Sequence, residues 1–391
     1  MIGSMQMNDF LFSTVSDVVI GAGCSANLGG ILSQMGVRRA LIVTDGGIVQ
    51  FGLLDDALKS LQAHQVEYSI YADVVADPPE SVVLDAVKKA QAFDCDGVIG
   101  FGGGSSMDVA KLLAVLVKGH QPLTELYGVD QVSGSRLPLL QVPTTAGTGS
   151  EATMVSIITT GENTKAGVVS RTLLADKILL DASLTIGLPA HVTAATGIDA
   201  MVHAIEAYTS KRLKNPLSDM LAREALRLLA DNIATVVKQG DNLEAREAML
   251  LGAMLAGQAF ANAPVAAVHA LAYPLGGNYH IPHGLSNSLV LPFVLRFNAP
   301  QAAALYADVA QIVMPDRKFP SDNIATTEML ADYFLSLAAD LGLQTSLREM
   351  NIPEADLPKL AEEAMLQQRL LINNPREVTI DDALGLYKQA Y

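Results

Sequence analysis

The chain has 391 residues, half of them apolar, and a formal charge of −15. That length accommodates two domains with sizeable cores, and the acidity excludes nucleic acid and anionic membrane surfaces as partners, because both recruit basic faces. The two cysteines, Cys24 and Cys95, have no metal-ligand spacing; no disulfide framework is expected and a cytoplasmic location fits.

The opening "MIGSMQMNDF" lacks a basic region followed by an apolar core, so no secretory signal is expected there. "RALIVTD" (39–45) then reads as a buried strand, followed by the helical pattern "LLDDALKSLQAH". "VEYSIYADV" (66–74) is the next strand and "PESVVLDAVKKAQAF" the next helix. "GVIGFGGG" (97–104) is a third strand ending in glycines before the helical "SSMDVAKLLAVLV", and "LPLLQVPTT" (137–145) is a fourth. Strands alternating with helices predict a parallel sheet covered by helices. After residue 188 the periodicity is helical only, through "PAHVTAATGIDAMVHAIEAYTS" and "PLSDMLAREALRLLADNIATVVKQ" to a C-terminal hundred residues of helices broken by Pro and Asn. The boundary falls at "IGLPA" (186–190), giving an α/β domain over 1–188 and an all-helical domain over 189–391.

From Ala248 to Leu295 there is no Asp, Glu, Lys or Arg. A membrane helix needs about 20 predominantly apolar residues, and Gln258, Asn262, Pro264, His269 and Pro274 interrupt this run. Buried helices around a polar site are expected instead.

Three loops compete for a dinucleotide. "VVIGAGCSA" (18–26) matches G-x-G-x-x-A, and Asp45 lies 22 residues beyond Gly23 where an acidic partner belongs. The pattern is common by chance, and a tight turn explains it equally. "GFGGGSSMD" (100–108) is stronger: Gly102, Gly103 and Gly104 close a strand, and Ser105 and Ser106 open a helix. Unobstructed amides at a helix N-terminus form a pyrophosphate cradle. Asp108 would repel phosphate, so a capping or water-mediated contact is expected of it. "PTTAGTGSE" (143–151) offers Thr144, Thr145 and Thr148 to phosphate, ribose or adenine, and two such loops at strand ends suggest one ligand lying across both.

Asp199 and His203 stand four apart on a helix and share a face. His269 and His283 lie in the charge-free stretch, where a buried imidazole needs a partner. One carboxylate and three imidazoles suit Fe(II) or Zn(II) and leave a divalent ion with residual positive charge. His280 sits three residues before His283 with Pro282 between, and both are not expected to reach one ion. His64, His120 and His191 read as surface or structural.

"GGGSSMD", "PTTAGTGSE", "GIDAMVHAIEAY", "HALAYPLGG" and "PHGLSN" occur in the order found in iron-containing (group III) alcohol dehydrogenases. The resemblance runs from about residue 10 to near the C-terminus. It implies a Rossmann-like α/β domain followed by an all-α domain, the dehydroquinate synthase-like fold, with NAD(P) and a divalent metal in the cleft between them. Iron is favoured and zinc fits. By resemblance, Asp199, His203, His269 and His283 are metal ligands, and Gly103, Gly104 and Ser105 form the pyrophosphate loop with Asp108 at that motif's acid. By the same resemblance Thr144 and Thr145 belong to the second cofactor loop, and Lys165 stands near the nicotinamide ribose after a one-residue gap.

Asp45 falls where the family discriminates cofactors, and its carboxylate would accept ribose hydroxyls and repel a 2′-phosphate, so NAD is expected. The implied reaction is hydride transfer between a small alcohol or diol and the nicotinamide, giving an aldehyde or ketone. Many relatives carry a histidine where this chain has Tyr273, which is expected to shape the substrate pocket or pack the nicotinamide. The small apolar run "AGQAFANAPVAA" (256–267) suggests an uncharged substrate. A hydroxyacid–oxoacid transhydrogenase is the alternative, and a non-catalytic metal- and NAD-binding protein a weaker one. A homodimer is implied by resemblance alone.

Overall fold

The computed structural model describes residues 9–161 and 164–391. Most of the opening segment read for a secretory signal, residues 1–8, lies outside them. The strands are β1 (Asp17–Ile20), β2 (Arg39–Asp45), β3 (Glu67–Val74), β4 (Gly97–Gly102), β5 (Gly128–Val129), β6 (Leu139–Pro143), β7 (Val155–Thr160), β8 (Thr164–Val169) and β9 (Lys177–Leu180). Six form a parallel sheet in the order β1-β9-β6-β4-β2-β3. β4 and β6 are buried along their whole length, as continuous apolar runs in a doubly covered sheet require. The covering helices are α1 (Leu28–Gln34), α2 (Gly46–Gln50), α3 (Asp55–Ala63), α4 (Glu80–Phe93) and α5 (Gly104–Lys118).

The chain leaves β2 outward to β3, then returns to place β4 on the other side of β2 and continues through β6 and β9. Strand order therefore reverses between β2 and β4, and the crevice beyond their carboxyl ends is where such sheets bind ligands. Asp45 ends β2 and Gly102 ends β4.

A second sheet, β5-β8-β7, was not foreseen from the sequence. β7 and β8 form an antiparallel hairpin paired from Val155–Val169 to Thr160–Thr164. Its strands carry Ser, Thr, Lys and Gly among the apolar residues, so neither a period-two alternation nor an apolar run marks them.

From α6 onward every described element is helical: α6 (Ala190–Thr209), α7 (Pro216–Lys238), α8 (Leu243–Asn262), α9 (Ala267–Tyr279), α10 (His283–Val313), α11 (Asn323–Asp340), α12 (Leu357–Met365), α13 (Gln368–Leu371) and α14 (Ile380–Ala390), with short 3-10 turns between some of them. The starts carry familiar signals. Asn215 and Asn242 accept amide hydrogens as N-caps, Pro216 opens α7 where its missing N–H costs nothing, and Thr379 with Asp382 closes a capping box.

The prolines behave differently from the expected breaks. α10 runs 31 residues through Pro292 and Pro300, and α9 continues through Pro274. Each proline forfeits a backbone hydrogen bond, but α10 packs on α6, α9 and α11, and tertiary burial holds it helical.

No single described helix is long and apolar enough to cross a membrane; α8 and α9 together have the composition, but they are bent by 108°. Both cysteines are free.

The two halves meet through glycine. A Cβ on Gly257 of α8 would fall 2.5 Å from the Gly149 carbonyl oxygen, and Gly149 itself has a φ of 59°. Only paired glycines let helix and loop backbones touch this closely.

Candidate metal centre and cofactor cleft

α6 is apolar around nearly its whole circumference, so Asp199 and His203 are carried into the interior with it. A Cβ on Gly284 would sit 2.3 Å from the Ala195 carbonyl oxygen, so the start of α10 lies hard against α6 and delivers His283 to Asp199. His269 arrives from α9. One donor atom from each of these four residues lies within 4.8 Å of the others. His203 Nε2 is 4.0 Å and His283 Nε2 3.8 Å from Asp199 Oδ1. The His203 ring stacks between Phe260 at 4.5 Å and His269 at 4.8 Å, centroid to centroid.

The donor chemistry fits a divalent cation. Burial pulls the His203 imidazole down to about 3, against Asp199's opposing charge, and the His283 pKa is lowered too, so both rings have lone pairs to offer at neutral pH. Burial pushes the Asp199 carboxyl up, but the positive charge the three histidines carry when protonated, with an Asn287 hydrogen bond, pulls it below its usual range. Acceptors thus converge on acceptors, an arrangement that a metal ion satisfies. Asp199, His203 and His269 are buried while the His283 side chain is 41% exposed, so the cluster opens on one side.

Two supporting residues escaped the sequence reading. Glu206, one turn beyond His203, accepts the Val268 amide at 2.7 Å and lies 2.6 Å from His269 Nδ1. This fixes the proton on Nδ1 and turns Nε2 toward Asp199. The available signal was its spacing, three residues after His203 and seven after Asp199, on the same helix face. Asn287, one turn into α10, donates to Asp199 Oδ1 at 2.6 Å and reaches His269 and His283 Nε2 at 3.3 Å. His280 caps α9 in a left-handed conformation and is exposed, outside the cluster. His64, His120 and His191 are also exposed.

Across the cleft, α5 starts at Gly104 with Gly103 as N-cap and no side-chain cap on its first amides. A Cβ on Gly104 would lie 2.8 Å from Thr148 Cγ2, and one on Gly103 would lie 3.8 Å from Thr145. The 100–108 and 143–151 loops therefore form one cradle, with Ser105 in the first turn of α5 and the Thr144 amide bonded to the Gly102 carbonyl at 3.0 Å. Asp45 Oδ1 caps α2 through the Gly47 and Ile48 amides, while Oδ2 would lie 3.5 Å from a Cβ on Gly102.

Asp108 is committed to protein partners: Oδ1 accepts Ser150 Oγ at 2.5 Å and Lys111 Nζ at 3.3 Å, and Oδ2 accepts the Ile157 amide at 2.8 Å. It clamps one glycine loop to the other rather than facing the cradle. Lys165 pairs with Asp77, bonds Thr159 at 3.2 Å, and lies close enough to lower the His283 pKa.

The first glycine loop has its donors spoken for. Gly23 and Ser25 amides and the Ser25 hydroxyl all donate to Asp181, at 2.6–3.0 Å. The loop is a turn tied to the end of β9.

Tyr273 packs beside the metal cluster, its ring 5.9 Å from that of His283, with the Arg369 guanidinium next to its phenol. Burial raises its phenol pKa, with Arg369 opposing.

A glycine-lined cradle beyond the strand ends together with an Asp-His₃ cluster suits a metal-assisted oxidoreductase. The chain belongs to the iron-containing alcohol dehydrogenase family: the description "Iron-containing alcohol dehydrogenase" matches residues 16–182, and "Fe-containing alcohol dehydrogenase family, C-terminal" matches 193–391. It is 36% identical over 381 residues to the sulfoacetaldehyde reductase of Bilophila wadsworthia, covering 96% of this chain and 98% of that one. Among solved structures, a 1,3-propanediol oxidoreductase superposes with a TM-score of 0.94 at 33% identity, covering 98% of this chain and all of that one. A sulfoacetaldehyde reductase from Bifidobacterium kashiwanohense in complex with NAD+ gives 0.87 at 28% identity, covering 98% and 99%.

Proposed function

We propose that the chain interconverts a small alcohol or diol and its aldehyde or ketone by hydride exchange with NAD, assisted by a divalent metal, iron before zinc. The convergence of Asp199, His203, His269 and His283 opposite the glycine cradle carries this reading. When bound, the ion would polarise the substrate oxygen as a Lewis acid. Those four side chains would hold it, with His269 oriented by Glu206.

The chain's other parts position and exclude. The first amides of α5 with Gly102, Gly103, Gly104 and Ser105 would take the pyrophosphate. Thr144, Thr145 and Thr148 would line its other side, and Asp45 Oδ2 would meet the adenosine ribose and select NAD. Asp108 would act by clamping the two loops, and Lys165 would approach the nicotinamide ribose. Tyr273 would wall the substrate pocket, and Phe260 would close the floor under His203. A domain division at 188/189 would put the cofactor on one wall and the metal on the other. Acidic charge and two free cysteines support a cytoplasmic enzyme, and the family resemblance supports a homodimer.

The test is metal analysis paired with NADH absorbance over a panel of short alcohols and aldehydes, with and without added Fe(II) or Zn(II). Metal-dependent turnover with NAD is the expected result. A chain that binds no divalent ion would sink the proposal, and turnover that needs no free NAD would favour the transhydrogenase.

A further inference from the structure

The charge-free run from Ala248 to Leu295 gives the metal cluster no cation of its own, yet one reaches it from elsewhere in the fold. Arg369 sits on α13, which packs against α9, and its guanidinium adjoins the Tyr273 phenol. The same group stands over β8: Arg369 Nη2 would be 3.7 Å from a Cβ on Gly167. Gly167 and Lys165 lie two residues apart on one strand and so share a face, and Lys165 lies near enough to His283 to lower its pKa.

Charge pairing sets Arg369 apart from its neighbours. Lys165 is paired with Asp77 and Lys359 with Glu363, while no ion pair among the described residues involves Arg369. Its residue is exposed, so the guanidinium is neither buried for packing nor neutralised. Its guanidinium adjoins a neutral phenol beside the open side of the metal cluster. A forked, permanently charged donor set in that position is suited to two oxygens of an anion.

We propose that Arg369, steadied by Tyr273, is an anion subsite, and that the substrate is a short aldehyde or alcohol bearing an anionic group at its far end. This rests on the dehydrogenase reading above and names its substrate class. The reducible carbonyl sits at the metal cluster beside His283, and the anionic group sits against Arg369. The Tyr273 ring separates the two positions, so a short chain of about one to three carbons links carbonyl and anion. The reaction balances as aldehyde, NADH and a proton giving alcohol and NAD+, the anionic group being unchanged. A carboxylate and a sulfonate both present two oxygens to the fork. The uncharged substrate expected from residues 256–267 reflects only the helices near His203; Arg369 comes from α13, outside that run.

The experiment compares succinic semialdehyde and sulfoacetaldehyde with the neutral aldehydes butanal and propanal, in the metal-loaded wild-type enzyme and in Arg369→Met and Arg369→Lys. The wild type should favour the anionic member of each pair. Arg369→Met should lower kcat/KM for the anions about 10- to 100-fold, chiefly through KM, and leave the neutral aldehydes within about threefold, with Arg369→Lys in between. The ratio of the two anions distinguishes carboxylate from sulfonate. Equal losses on charged and neutral aldehydes, or none on either, would overturn the subsite. A second readout is independent of turnover: calorimetric binding of ethanesulfonate and propanoate should weaken about tenfold or more in Arg369→Met, and unchanged binding of both would also overturn it. Failure of every aldehyde in the wild type would instead count against the dehydrogenase reading, with anion binding through Arg369 still deciding the subsite.

Discussion

The two walls of the cleft are built for recognition in opposite ways. The α/β wall offers backbone: glycines at the end of β4, uncapped amides at the start of α5, and hydroxyls from the 143–151 loop. The helical wall offers side chains, held by a ring of partners that includes Glu206 and Asn287. Backbone donors are indifferent to most substitutions but intolerant of added bulk, since a Cβ at Gly104 would collide with Thr148. Side-chain donors are the reverse, and losing one atom type removes the function. The walls should therefore fail separately, each in its own observable.

The largest separation should come from Glu206→Gln. Replacing the carboxylate that fixes His269 should weaken metal affinity about 10- to 100-fold, read by competition with a chelator, while NADH binding stays unchanged. A parallel loss of NADH binding would show that the walls are coupled. On the opposite wall, Asp45→Gly should shift the NADP/NAD ratio of kcat/KM upward by about tenfold without changing metal content. An unchanged ratio would remove Asp45 from cofactor selection. The lost α2 cap costs only a few tenths of a kcal/mol, as Gly is itself a tolerated cap. The smallest effect is expected at the meeting of the walls: Tyr273→Phe should reduce neutral-aldehyde turnover less than about threefold. A loss beyond about 100-fold would assign Tyr273 to proton transfer.

The backbone wall was the more legible of the two in the sequence. Glycine triplets and hydroxyl runs after apolar strands announce themselves locally, and β2, β3, β4 and β6 fall where their apolar runs place them. The decoy at 18–26 needed the structure, because Asp181 lies far away in sequence and only folding brings it to Gly23. On the helical wall, Asp199, His203, His269 and His283 stood out by residue type in an uncharged setting. Glu206 did not, since a lone glutamate on a helix reads as a surface charge until burial is known. Arg369 was hidden for the same reason, on a four-residue helix with no motif around it. The β7–β8 hairpin was missed because its polar residues fit no single period, and the length of α10 because local proline preference was outweighed by packing.

The Gly149–Gly257 contact gives the protein an adjustable spacer. With two backbones touching there, the separation of the walls is set by the thickness of peptide units rather than by any side chain. A graded series at position 257, from alanine through serine to valine, would drive a wedge of known size between cofactor and metal. Hydride-transfer distance would then vary with both sets of ligand-binding residues left intact, which makes the intrinsic kinetic isotope effect the natural gauge of that gap.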